Sequence, residues 1–361
     1  MKLGKLFSEI SKGSNSSRVL GIDIGSSSIK VVEVQNRDEV LSLTTYGEIQ
    51  LGPYTGKEVG QSVVLDPKQE QQALIDVIRE SAVKADKAVF SMPLSSSFVT
   101  MINLNAGPEE DLASRVRVEA RKYIPVPISE VTLDWAEVES DTNKNKDKNK
   151  NSRNVLVAAI QNQALNRFKT LMQFVNFKEP PTEIECFSSI RGAFKEKEDN
   201  IAIIDIGAVS TKLYIAHKGL LQRMHRVRAG GAIATSRIAS TLELSFEEAE
   251  IKKRTVTKDD SSFAEVARIH DSSYERTWQE FRQVINEYEL SLDTKLDVVY
   301  LTGGGAIFPT VRGLVKDVLR QDVQYVNTFS KFSYPAFMED IVSELNPTFH
   351  VALGAALRIF E

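Results

Sequence analysis

Two aspartates carry the chemistry this sequence can offer. Asp23 closes the apolar run of "GIDIGSSSIK" at residues 21–30, and Asp205 closes that of "IIDIGAVSTK" at residues 203–212. Six of the ten positions are identical, among them the Asp, the Gly two residues on, a Ser and the final Lys. In each copy an apolar strand ends at Asp, Gly turns the chain, and a second strand leaves through Ser and Lys. One Asp-x-Gly at a strand end marks a turn; two matched copies mark a duplicated device. Glycine lets backbone N–H groups approach phosphate oxygens with no Cβ in the way. That assigns Gly25, Ser26, Ser27 and Ser28 to one phosphate-binding turn, and Gly207, Ser210 and Thr211 to its counterpart. Lys30 and Lys212 either add charge there or face solvent. Carboxylates repel phosphate, so Asp23 and Asp205 make sense only with a cation between them, Mg²⁺ held through waters.

A third stretch agrees. "DVVYLTGGGAIFPTVRGLVKDVL" at 297–319 reads as a buried strand, then Gly303, Gly304 and Gly305, then a helix. A plain turn needs one glycine; three admit a flat ring against the backbone, and a helix N-terminus favours negative charge.

These turns need sheets to hold them. "VLGIDIG", "IKVVEVQ" and "EVLSLTTYGEI" read as strands, and residues 68–84 as a helix with Leu74, Val77, Ile78 and Val83 on one stripe. "KAVFSMP" is a buried strand closed by Pro93. From 94 the texture changes to strand ("FVTMINL"), helix ("GPEEDLASRVRVEARKYI", acidic in its first turn and ended by Pro125) and strand ("SEVTLDWAEVE"). We read 94–153 as an inserted subdomain whose Lys/Asn-rich end, 140–153, is a solvated, mobile loop. "NVLVAAI" follows as a strand, "QNQALNRFKTLMQFVNF" as a helix, and "PPTEIECFSSIRGAFK" as a turn that becomes helical.

The 361 residues suit two lobes. The expected division is a tail at 1–17, lobe 1 at 18–200 with its insert, lobe 2 at 201–345, and a C-terminal helix at 346–361 packing back on lobe 1. Leu3, Leu6, Phe7 and Ile10 share one helical face of the tail, but a plain tail is the preferred reading over a membrane-surface helix. A net charge of −4 gives no case for nucleic acid. One cysteine, Cys186, excludes an intrachain disulfide framework and fits a reducing compartment. The histidines lack companions at zinc-ligand spacing.

The two Asp-Ile-Gly turns and "LTGGGA" resemble the phosphate and adenosine motifs of the actin/Hsp70/FtsA ATPase superfamily. Within it the resemblance is to the type IV pilus assembly protein PilM family. It is carried by "VEARKYIPVPISEV" at 118–131, "IECFSSIRGAF" at 184–194, "GGAIATSRIASTLELSFEEAEIKKR" at 230–254 and "FHVALGAALR" at 349–358. The resemblance implies an α/β, actin-like ATPase fold: two lobes with duplicated mixed-sheet cores around a nucleotide cleft, plus an FtsA/PilM-type inserted subdomain. It implies ATP and Mg²⁺, with Asp23 and Asp205 around the metal and Val209 joining the second phosphate turn. Gly303–Gly305 would line the adenine, and Glu250 and Lys253 would reach the ribose. Without the family that pair reads as an exposed helical ion pair. Glu185 would stand near the attacking water, completing a catalytic set with Asp23 and Asp205.

Ala208-Val209 in the second turn, where hydroxyls or glycines are common, argues for slow hydrolysis at most. Residues 327–338 are left unassigned to the family pattern. The implied partner is the N-terminal cytoplasmic peptide of PilN, docking at the insert near the pilus motor ATPase and platform protein. The membrane would be reached only through partners, and a homo-oligomer stays open. The alternatives are an FtsA-like division protein and a small-molecule kinase. The first is disfavoured because such relatives carry a membrane helix after a linker, whereas "AALRIFE" ends on a core-like helix.

Overall fold

The computed structural model describes residues 16–360 except 106, 108–110, 139–151, 176 and 178–180. The apolar face of the N-terminal tail and nearly all of the Lys/Asn loop lie outside the described residues. Strands β1 (Ser16–Ile24), β2 (Ser28–Arg37) and β3 (Val40–Gln50) form an antiparallel meander. Helix α1 (Pro67–Glu80) then crosses to β4 (Lys87–Met92), which lies parallel to β1. A capping box between Asp66 and Gln69, with Pro67 in the first turn, starts α1. It ends at Glu80, earlier than the periodicity predicts, because Ala82 takes a positive φ of 50° and turns the chain. Val83 packs on the core from beyond the helix.

The insert follows: β5 (Ser97–Asn105), α2 (Leu112–Ala120), β6 (Val131–Val138) and β7 (Ser152–Gln161). Asp111 caps α2 through the Ala113 N–H, so the helix starts after the acidic run rather than within it. The sheet order is β5-β7-β6, so the strand expected to follow the insert is its central strand, and the sheet runs past residue 153. The reason is burial on both faces. Val155, Val157 and Ala159 pack under α2, while Leu156, Ala158 and Ile160 face the core of the first lobe.

Next come α3 (Asn162–Phe174), β8 (Thr182–Ile184) and α4 (Glu185–Ala193). β8 is a strand that the reading of "PPTEIECF" as a turn lacks; its three residues pair in parallel with β4. The second sheet is built from β9 (Asn200–Ile206), β10 (Thr211–His217) and β11 (Leu220–Val227). Helices α5 (Gly231–Leu242), α6 (Phe246–Thr255), α7 (Phe263–Ser272) and α8 (Glu275–Leu292) lead to β12 (Val298–Thr302). Helix α9 (Val311–Leu319), β13 (Val323–Tyr325) and α10 (Glu339–Leu357) complete the chain. The sheets follow one plan, β3-β2-β1-β4-β8 and β11-β10-β9-β12-β13. Every residue of β9 is buried, as a strand covered on both faces requires.

One apolar core joins the lobes. It runs from Leu20, Ile22 and Phe90 through Cys186 and Ile190 of α4 to Ile201, Ile203 and Tyr300. The other face of the first sheet is covered by α10 and by residues 327–338, whose Phe329, Phe332 and Met338 pack with Val19, Val32 and Val89. That segment also hydrogen-bonds to β3: the Leu43 N–H donates to Ser333 O (2.9 Å) and the Ser333 N–H to Leu41 O (2.8 Å). Among the described residues no helix is long and apolar enough to cross a membrane.

Phe329 is fully buried, so Phe329→Ala is expected to cost about 3–5 kcal/mol in urea unfolding. A cost below about 1 kcal/mol would show that 327–338 is not part of the core.

Candidate nucleotide site

The two turns are congruent. Ile24 pairs with Ile29 and Ile206 with Thr211, leaving Gly25–Ser28 and Gly207–Ser210 as the turn residues. Each is closed by the same bond, from the Gly25 N–H to Ser28 O (3.0 Å) and from the Gly207 N–H to Ser210 O (3.1 Å). The register sets Asp23 opposite Lys30 and Asp205 opposite Lys212, so each aspartate shares a sheet face with a lysine. Ser26 and Ser27 sit half-buried at the first turn, held from behind by the Val63 and Leu51 N–H groups. Ser28 is buried and accepts from Lys30 Nζ (3.0 Å), which also pairs with Glu48 (3.6 Å). Val209 is half-buried, Ser210 Oγ accepts from Arg226 Nε (3.2 Å), and the buried Thr211 hydroxyl donates to Ala229 O (2.6 Å).

The aspartates differ. Asp205 Oδ2 accepts from Lys212 Nζ at 2.9 Å, and the same ammonium donates to Glu185 Oε2 at 2.6 Å. Glu185 Oε1 accepts from the Leu94 N–H (2.8 Å), so both oxygens of this carboxylate are engaged. Burial pulls Lys212 down, but Asp205 and Glu185 outweigh it and hold the ammonium above its usual range. Among the described residues Asp23 has no such hydrogen-bonded lysine. Burial, with Glu185 and Asp205 nearby, raises its pKa to about 6 against the pull of Lys30 and Lys212. Asp23 therefore shares the cleft floor with Asp205, Glu185 and Lys212.

Gly303 follows β12, whose Thr302 pairs with Asp205. Its φ is +85°, and a Cβ there would lie 2.5 Å from Asp205 Oδ1, so only glycine fits. Its N–H and the Thr302 hydroxyl both donate to Pro347 O in α10 (2.8 and 3.0 Å). Gly305 packs on Ile206, while Gly304 is exposed with open space around the position of a Cβ. The three glycines pass into a single 3-10 turn, Gly304–Ile307, before α9.

Glu250 and Lys253 are not the exposed pair that spacing alone suggests. Glu250 is buried, accepting from Lys253 Nζ (2.6 Å), Thr235 Oγ1 (2.5 Å) and Arg254 Nε (2.7 Å). Burial opposes its ionisation, yet these partners outweigh it and hold the carboxyl below its usual range. Gly60 reaches this node from lobe 1: a Cβ on it would lie 2.8 Å from Glu250 Cδ. Lys253 Nζ also meets Gly231 O (3.3 Å) at the start of α5.

Sequence reasoning gave no role to Gly230 and Gly231, although the doubled glycine before a helical run was their signal. A Cβ on Gly230 would lie 2.5 Å from Ala208 O, and the Gly231 and Ala232 N–H groups donate to Gly207 O and Ala208 O (2.9 Å each). The start of α5 is thus fastened to the second turn, bringing its positive end there. Lys212, shared by Asp205 and Glu185, stands beside the place where the expected Mg²⁺ would be held through waters. Among the described residues no group of three or more His, Cys, Asp or Glu is placed to hold a metal ion.

Paired sheets of one plan, each carrying the same hairpin turn, define the actin-like fold. Solved structures agree. A PilM–PilN type IV pilus biogenesis complex is similar at TM-score 0.78 and 24% identity, over 95% of this chain and 98% of that one. The ethanolamine utilization protein EutJ of Carboxydothermus hydrogenoformans follows at 0.56 and 15%, over 94% and 89%. MreB5 of Spiroplasma citri bound to AMPPNP stands at 0.50 and 12%, over 91% and 97%. Cell division protein FtsA of Bacillus subtilis strain 168 is 22% identical, over 86% of this chain and 78% of FtsA. The family described as Type IV pilus assembly protein PilM matches residues 21–360, and this chain belongs to it. It is an actin-like pilus assembly protein.

The raised Asp23 pKa has a signed consequence. Between its ordinary 3.8 and about 6 the folded chain binds more proton than the unfolded one, so Asp23 lowers stability as pH rises through that window. In nucleotide-free protein, Asp23→Asn is therefore expected to gain stability over wild type as pH goes from about 4 to about 7, read by urea unfolding. A pH-independent difference would remove the assignment.

Proposed function

We propose that this chain binds an adenine nucleotide between its two turns and Gly303–Gly305, and that the bound state sets how its lobes hold a pilus partner. The carrying observation is the pair of congruent Gly-x-x-Ser turns, with Asp23 and Asp205 on one floor. The fold likeness to MreB5 bound to AMPPNP supports the ligand class. Phosphates would meet the turn backbones, Lys30 and the positive start of α5. The base would lie over Gly304, and the Glu250–Lys253 node would face the sugar. ATP is the expected nucleotide. Glu185, engaged at both oxygens, is poorly placed to take a proton from water, which supports holding over rapid cutting.

The partner we assign is the N-terminal cytoplasmic peptide of PilN, docking on the inserted subdomain. The similar PilM–PilN complex supports that choice. On the insert, Val118 (60% exposed) and Tyr123 (50%) are open apolar groups, and a shallow cavity of about 540 Å³ is lined by Arg117, Arg121, Val126, Pro127, Ile128 and Ser129. An apolar peptide seated there would cover them. PilN would hold the chain at the inner face of the membrane, near the motor ATPase and platform protein. The family match favours this role over a division protein or a kinase.

Two variants separate ligand from partner. A side chain at Gly304 meets nothing in the protein, so Gly304→Val is expected to leave the melting temperature unchanged while weakening ATP by about tenfold or more in calorimetry. Unchanged affinity would move the base elsewhere. Val118→Glu with Tyr123→Glu is expected to weaken a fluorescent PilN peptide by about tenfold or more in anisotropy. Unaltered binding by folded protein would displace the docking site from this face.

A further inference from the structure

One ammonium of the protein already stands among the carboxylates of the cleft floor. Lys212 Nζ stands 2.9 Å from Asp205 and 2.6 Å from Glu185, with its side chain 13% exposed and theirs 9% and 8%. This is a fixed arrangement. The hairpin register sets Lys212 opposite Asp205, and Glu185 is anchored by the Leu94 N–H in the turn that follows β4. A divalent ion approaching Asp205 would meet an ammonium at hydrogen-bond distance, and two cations so close repel strongly in a buried site. In the first turn Lys30 is engaged with Ser28 and Glu48, and among the described residues no group of three or more His, Cys, Asp or Glu is placed there to hold a metal ion.

We propose that Lys212 is the resident cation of this nucleotide site. It occupies the place beside Asp205 and Glu185 that a metal would take, so that nucleotide is received without dependence on a divalent metal. Glu185 is then a positioning residue for Lys212. The inference rests on the nucleotide reading above and deepens it.

The test is ATP titration by calorimetry, with Mg²⁺ and with EDTA. Wild type is expected to show dissociation constants within about threefold of one another in the two buffers. Lys212→Met is expected to lose about tenfold or more in EDTA and to recover with Mg²⁺, while Lys212→Arg keeps the wild-type pattern. Removing Lys212 strands two buried carboxylates. Lys212→Met/Glu185→Gln, which relieves one of them, is therefore measured alongside and read if the single variant does not fold. A wild-type loss of about tenfold or more in EDTA overturns the proposal and leaves the nucleotide reading standing. So does a folded Lys212→Met or double variant that binds in EDTA as wild type does. Wild type that binds ATP in neither buffer overturns both.

Discussion

Carboxylates gathered on one buried floor need a positive charge among them, and that requirement organises the centre of this molecule. Two hairpins with four-residue turns place each aspartate opposite a lysine. A change of one residue in either register would send one member of the pair to the other sheet face. In the second hairpin the lysine is used in full, tying Asp205 of one lobe to Glu185 at the start of the helix between lobes. Neighbouring features follow from that anchorage. Gly303 must be glycine because Asp205 Oδ1 is fixed where a Cβ would go. Its N–H in turn holds Pro347 O, so the strand end, the glycine turn and α10 meet at one point.

Much of this was legible in the sequence, for physical reasons. The duplicated turn showed because a strand end, a glycine and a serine at fixed spacing are local requirements. The two-lobed fold followed from the repeat and the family pattern. Pairing between distant segments did not show. β8 contributes three residues beside β4, too few for any periodicity, and β7 reads as an independent strand until β5 and β6 are seen flanking it. The segment 327–338, left unplaced by the sequence reading, lies within the family match and covers the first sheet with Phe329, Phe332 and Met338.

The site residues divide the same way. Alternation could not say whether Lys212 faces solvent, because β10 is buried on both faces and its period carries no inside or outside. The Glu250–Lys253 spacing gave the pair but not its burial, which Thr235 and Gly60 impose from α5 and from the other lobe. Ser28 and Thr211 looked like free hydroxyls and are engaged with Lys30 and Ala229 O. A hydroxyl's partner is a tertiary fact even where its position is a local one.

Coupling between cleft and insert needs elements that touch both. β7 supplies one, with one face under α2 and the other in the core that also holds Ile184, Cys186 and Ile190 around Glu185. A second is β11, which pairs with β10 beside Lys212 and comes against β5 of the insert. Two contacts span the lobes at the cleft itself, Lys212 with Glu185 and Gly60 with Glu250. A ligand shifts the lobes only by the difference in its affinity for their two arrangements. Phosphates drawn to both turns would load the first contact, and a sugar at the Glu250 node would load the second. A peptide on α2 would press on the opposite face of β7. Nucleotide and peptide would then bias one equilibrium, and each must change the affinity for the other by the same factor.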